Sequence, residues 1–174
     1  MLAKTAPFEG HWYEMRADRL TEFVVPMGFG SRLYVGRLDP PAFVDQRLIA
    51  LNVKEGTDAD LLHALLNSTL GILMIEAIGF GRGLGVLDLN KDRIESSLHV
   101  LDPAAINADA RNSIVAAFGP LTARTILEVA DELDQDDRIA FDEVVFNAFG
   151  ITVAREVVYD SLRALTEIRQ SVNA

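Results

Sequence analysis

Residues 57–78 read TDADLLHALLNSTLGILMIEAI, and the spacing predicts one helix over 59–78. Leu62, Leu65, Leu66, Leu73 and Ala77 keep helical period, and Ile72, Met74 and Ile75 widen the apolar face until it is buried nearly all round. Thr57 is placed to cap the start, Asp58 and Asp60 complement the dipole, and Gly79 is placed to end the helix in a left-handed conformation. His63, Asn67, Ser68, Thr69 and Glu76 interrupt the apolar run, which makes it a poor membrane span and a good core helix. No signal peptide is read in MLAKTAPFEGHWYEMR, which has no continuous apolar core. The expectation is a soluble, cytoplasmic protein.

A helix of that kind needs other layers to cover it, and the flanking sequence supplies them. Upstream, Phe23–Val25, Arg32–Val35 and Leu48–Val53 are short β-prone runs separated by Gly and Pro. Downstream, VLDL (86–89) and SSLHVLD (96–102) suggest two more strands. After Pro103 the pattern turns helical. Asn107 caps a helix closed by Gly119 and Pro120, TARTILEVADEL forms a second, and a third runs from about Asp137 to Gly150. The last places Val153, Val157, Val158, Leu162, Leu165, Ile168 and Val172 on one face. The predicted fold is α+β: a small, mostly antiparallel sheet with a buried central helix over 1–102, then a helical C-terminal part over 103–174 packed on it or on a partner.

With 174 residues, 49% hydrophobic, the chain is long enough for a sizeable core and is not a disordered composition. It has no cysteine, which excludes disulfides and thiolate metal sites. The net charge of −10 is uneven: residues 1–100 carry ten Lys/Arg against thirteen Asp/Glu, and residues 101–174 carry six against thirteen. The acidic tail reads as a solvated helical surface, and it disfavours nucleic-acid contact there.

Motifs with chemical potential are few. GFGRGLG (79–85) is rich in glycine, but it follows a helix and precedes a strand, the reverse of a cofactor-binding strand–loop–helix unit. DPPAF (39–43) has Ala42 where a base-stacking Asn/Asp/Ser-Pro-Pro-aromatic motif needs its aromatic, so it reads as a turn between two strands. His11, His63 and His99 form no metal-ligand spacing, and His63 reads as a hydrogen-bonded core histidine. DELDQDD (131–137) lacks the glycine and terminal glutamate of a calcium loop. Ser68 and Ser96–Ser97 have no nucleophile-elbow context. No catalytic constellation and no metal site emerges.

In order along the chain come Leu66-Asn67-Ser68 in a leucine-rich helix, Gly81-Arg82-Gly83, Leu87-Asp88-Leu89, and Asp102-Pro103. This series resembles the C-terminal region of adenine-N6 DNA methyltransferases of restriction–modification systems, and the tail DDRIAFDEVVFNAFGI resembles their C-terminal ends. The similarity runs from roughly Phe23 to the end. It implies a target-recognition portion that follows the catalytic domain, with double-stranded DNA and a catalytic domain or subunit as partners. S-adenosylmethionine is expected on that catalytic part, with no cofactor or catalytic residue in this chain. The resemblance makes the loop Gly81, Arg82 and Gly83 the first DNA-binding candidate, because glycine lets a backbone approach closely and arginine pairs bidentately with phosphate or guanine. Arg32, Arg37, Lys91 and Arg93 are further candidates, with Arg47 and Lys54 behind them. A flexible connector with Arg82 in a surface ion pair is the alternative for the loop. For the chain, the alternative is a protein-interaction or homodimerisation module without DNA contact.

Overall fold

The computed structural model describes residues 19–171; His11 and Val172 lie outside them. The fold is α+β, with two small antiparallel sheets and seven helices among the described residues. The first sheet has β1 (Thr21–Pro26) at its centre, between β3 (Gly36–Ala42) and β4 (Leu48–Leu51). Phe23, Val24 and Val25 are all buried, so this central strand is covered on both faces. The second sheet is smaller: β2 (Gly28–Phe29) and β5 (Phe80–Gly81) flank β6 (Leu87–Asp88).

The helix expected over 59–78 is two helices. α1 (Ala59–Leu66) and α2 (Thr69–Ile78) meet at Asn67-Ser68 with a bend of 64°. Each has its own cap: Asp58 accepts from the Leu61 N–H and Ser68 from the Gly71 N–H, so Asp58, not Thr57, starts the first. Gly71 permits the bend, since a Cβ there would stand 2.6 Å from the carbonyl oxygens of Leu65 and Leu66. Gly79 ends α2 in an extended conformation (φ −70°), not a left-handed one. Its glycine is required instead by crowding, because a Cβ would lie 2.4 Å from Leu87 Cδ1.

The bend also accounts for the missing strand at 32–35. The Asn67 side chain accepts from the Val35 N–H and donates to the Val35 carbonyl, both at 3.0 Å. One amide thereby takes the place of a neighbouring strand. DPPAF is not the turn expected between strands, as Asp39 to Ala42 lie within edge strand β3. Prolines suit an edge, where the lost N–H faces no partner strand.

Downstream, Ser96 and Ser97 close helix α3 (Lys91–Ser97), capped by Asn90, and the expected strand at 96–102 does not form. Asn107 does cap α4 (Ala108–Thr122), but that helix runs through Gly119 and Pro120. TARTILEVADEL contributes only the single turn α5 (Val129–Glu132). α6 (Asp136–Ala148) is followed by Gly150 at φ 62°, a left-handed stop.

α7 (Arg155–Ser171) closes the described chain and corrects the expected stripe. Val158 and Leu162 are buried, but Tyr159, Thr166 and Arg169 complete the inner face. Val153, Val157, Leu165 and Ile168 are exposed, Ile168 at 63%. Ile168→Ser is therefore expected to shift the urea midpoint by the equivalent of less than about 0.5 kcal/mol. A larger loss would place the outer face in an interface.

Two apolar cores result, and each draws on both sides of Asp102. One joins the sheets to α2, α5 and α7 through Phe23, Ile75, Leu87, Val129 and Leu162. The other joins α1 to α4 and α6 through Leu61, Leu65, Ile114, Phe118 and Phe141. No single helix among the described residues is long and apolar enough to cross a membrane.

Candidate nucleic-acid interface

The glycine-rich loop is a β-hairpin. β5 and β6 pair antiparallel, with Phe80 opposite Asp88 and Gly81 opposite Leu87. The ladder continues through the Arg82 N–H to the Val86 carbonyl, and the Val86 N–H closes the turn on the Gly83 carbonyl, both at 3.1 Å. Gly83 (φ 92°), Leu84 (φ 52°) and Gly85 (φ 69°) form its three-residue loop, all with positive φ. A loop joining two antiparallel strands opens no helix, so it offers no helix N-terminus to a cofactor phosphate.

Rigidity comes from below. Arg169 near the end of α7 donates from one terminal nitrogen to the Gly85 carbonyl. Its other nitrogens grip Glu76 of α2 bidentately, at 2.8 and 3.1 Å. Gly81 and Gly85 face Arg169 and Gln170 of α7, where an added Cβ would stand 4.0 and 3.5 Å from their side chains.

Arg82 is 71% exposed, and its Nε lies 2.9 Å from Oδ2 of Asp88, itself only 15% exposed. Among the described residues neither terminal nitrogen of Arg82 has a partner. The guanidinium is thus held at one edge and open at the other, which is the arrangement a bidentate contact requires. This pair resembles the surface ion pair of the connector reading, yet the connector is structured.

The other basic candidates divide. Arg93 donates to the carbonyls of Ile78 and Gly79 and stacks 5.0 Å over Phe80, so it caps the end of α2 beside the hairpin. Lys91 pairs with Glu95 one turn on and remains 72% exposed. Arg32 lies exposed between β2 and β3. Arg37 belongs to another cluster, bonded to Glu22 and Asp60. Its guanidinium is held above its ordinary pKa by the Asp60 hydrogen bond first and Glu22 next. The Arg47 backbone N–H, not its guanidinium, meets Asp45.

Arg37 borders an open cleft of about 880 Å³ whose walls include Val35, His63, Phe118 and Arg124. His63 Nε2 lies 3.0 Å from the Val35 carbonyl, as expected of a core histidine. Burial pushes its pKa down, which favours the neutral ring. Arg124 clasps Asp137 and Glu132, and its pKa rises through those two hydrogen bonds. Burial acts to raise the Glu132 carboxyl, but bonds from Arg124, the Leu127 N–H and Arg138 outweigh it and hold it below the usual range. Glu132 and Asp137 of the acidic segment are thus arginine partners. Among the described residues no group of three His, Cys, Asp or Glu is arranged for a metal ion. Thr69 and Tyr159 converge on Asp142, fully buried between α2 and α7.

Sequence reasoning missed Leu84, Asp88 and Arg169. VLDL was read as a strand but its partner at Phe80–Gly81 was not, and Arg169 sits far away in sequence and carried no local signal. No protein-family model, curated protein or solved structure matches the chain.

Proposed function

We propose that this chain is the DNA target-recognition portion of an adenine-N6 DNA methyltransferase of a restriction–modification system. A separate catalytic domain or subunit supplies S-adenosylmethionine binding and base flipping, and this chain transfers no methyl group by itself. One observation carries the reading: the Gly81-Arg82-Gly83 motif, third-party to either core, becomes a clamped hairpin that presents a half-committed arginine to solvent. The ordered resemblance of the neighbouring motifs supports it, with Leu66-Asn67-Ser68 forming the bend that sets α2 and hence the hairpin.

Electrostatics limits the affinity. The chain carries −10, and Arg37, Arg111, Arg124, Arg138, Arg155 and Arg163 are already in ion pairs. Each phosphate contact contributes about 0.9 to the slope of log affinity against log salt, so the expected slope is only a few units. Arg82→Ala is expected to weaken binding by about 1–3 kcal/mol on the preferred sequence if it reads a base edge. A phosphate contact would give the same loss on every sequence and lower the slope by about one. Fluorescence anisotropy on duplexes of varied sequence at two salt concentrations separates these results. Absence of binding at low salt defeats the reading.

A second reading is a protein-interaction or homodimerisation module. Its support is the exposed apolar outer face of α7 at Val157, Leu165 and Ile168 on an acidic chain. Sedimentation of the chain alone tests self-association directly.

A further inference from the structure

We infer that Leu84, at the tip of the hairpin, is an apolar wedge that inserts at a base step of duplex DNA while Arg82 contacts the groove beside it. This inference rests on the DNA-recognition reading and names the residue that makes the contact.

Leu84 is 87% exposed, and among the described residues the next most exposed large apolar side chain is Ile168 at 63%. A leucine so placed contributes almost nothing to either core. Its backbone is also costly, since φ 52° brings the Cβ against the following carbonyl. Positive φ favours Asn, Asp or Gly for that reason. Folding alone would therefore select a different residue, so leucine here is explained by something outside the fold.

The surroundings suit a wedge. Gly83 and Gly85 on either side carry no side chain, so Leu84 projects from a narrow two-stranded ribbon, and a ribbon fits a DNA groove. Insertion demands a stiff base, and Arg169 supplies it by its hydrogen bond to the Gly85 carbonyl. The choice of DNA over a protein pocket rests on the DNA-recognition reading and on Arg82, which is 71% exposed beside the tip. Between Gly79 and Ser97 the cations Arg82, Lys91 and Arg93 balance Asp88, Asp92 and Glu95, in a chain that is otherwise acidic. With so few uncommitted cations nearby, affinity has to come from apolar contact, as in proteins that unstack a base step with an inserted Leu, Ile or Phe.

The test uses Leu84→Asn in the full chain, because asparagine tolerates positive φ, and Leu84→Gly as a second variant. Short duplexes carrying 2-aminopurine at successive positions report affinity by anisotropy and unstacking by emission. The wild-type chain is expected to brighten the probe at a step. Both variants are expected to lose that signal and to bind about ten- to a hundredfold more weakly. Their melting temperatures are expected to equal or exceed wild type, which separates a lost contact from a lost fold. Undiminished affinity and emission in the variants overturn the wedge and leave the DNA reading standing. A wild-type chain that binds no duplex at low salt overturns both. Self-association that Leu84→Asn abolishes, without DNA binding, overturns the wedge in favour of a protein contact.

Discussion

Arg169→Met is expected to lower stability by about 3–5 kcal/mol, measured by urea denaturation. Glu76 and Arg169 are both almost wholly buried, with side chains 3% and 4% exposed. Two charges removed from water are tolerable only while they satisfy each other, and here the contact is bidentate. Methionine fills much of the volume but leaves the buried Glu76 carboxylate without its partner. The Gly85 carbonyl loses its donor in the same step, so the hairpin loosens together with the core. The double variant Glu76→Met/Arg169→Met is expected to regain most of the loss, because an apolar pair of similar volume carries no desolvation cost. A single variant within about 1 kcal/mol of wild type would show that water reaches the pair.

Asp142→Ala is the second large loss, at about 3 kcal/mol or more. Asp142 is 0% exposed and accepts three hydrogen bonds: from the Thr69 N–H at 2.9 Å, from the Thr69 hydroxyl, and from the Tyr159 hydroxyl at 2.8 Å. It therefore serves the first turn of α2, where unpaired N–H groups favour a carboxylate. Alanine strands all three donors away from water. Asp142→Asn is expected to lose only about 1–2 kcal/mol, since its oxygen still accepts from the Thr69 N–H and both hydroxyls rotate to accept from its amide. Equal losses in the two variants, read from calorimetric melts, would mean that the charge matters more than the acceptors.

Legibility followed the range of the interaction involved. The strands around Phe23–Val25 and Leu48–Leu51, the Asn107 cap and the Gly150 stop rest on neighbours in sequence, and each was readable. The 59–78 helix was not readable as two, although its breaker was visible. Asn67-Ser68 is an apt cap pair, but a run of leucines on both sides concealed it. The strand expected at 32–35 failed for a reason no local pattern holds: the Asn67 side chain, 32 residues on, supplies the ladder. The α7 stripe erred because Arg169 and Thr166 are polar and yet face inward, Arg169 being matched by Glu76. At the candidate interface the loop was found from its glycines and Arg82, while its supports Asp88 and Arg169 act across strands and helices.

The Glu76–Arg169 pair also sets an order of events during synthesis. The two residues are 93 positions apart, so Glu76 leaves the ribosome long before its partner exists. At about 5–20 residues per second that interval is roughly 5–20 s. Until Arg169 arrives, Glu76 has no partner to bury against, and α2 cannot settle finally against the sheets. The Gly85 carbonyl waits for the same side chain. Closure of the first core and fixing of the hairpin therefore wait on one event, the docking of α7. A nascent chain exposes this hairpin early, but with its Arg169 support only once α7 has been made.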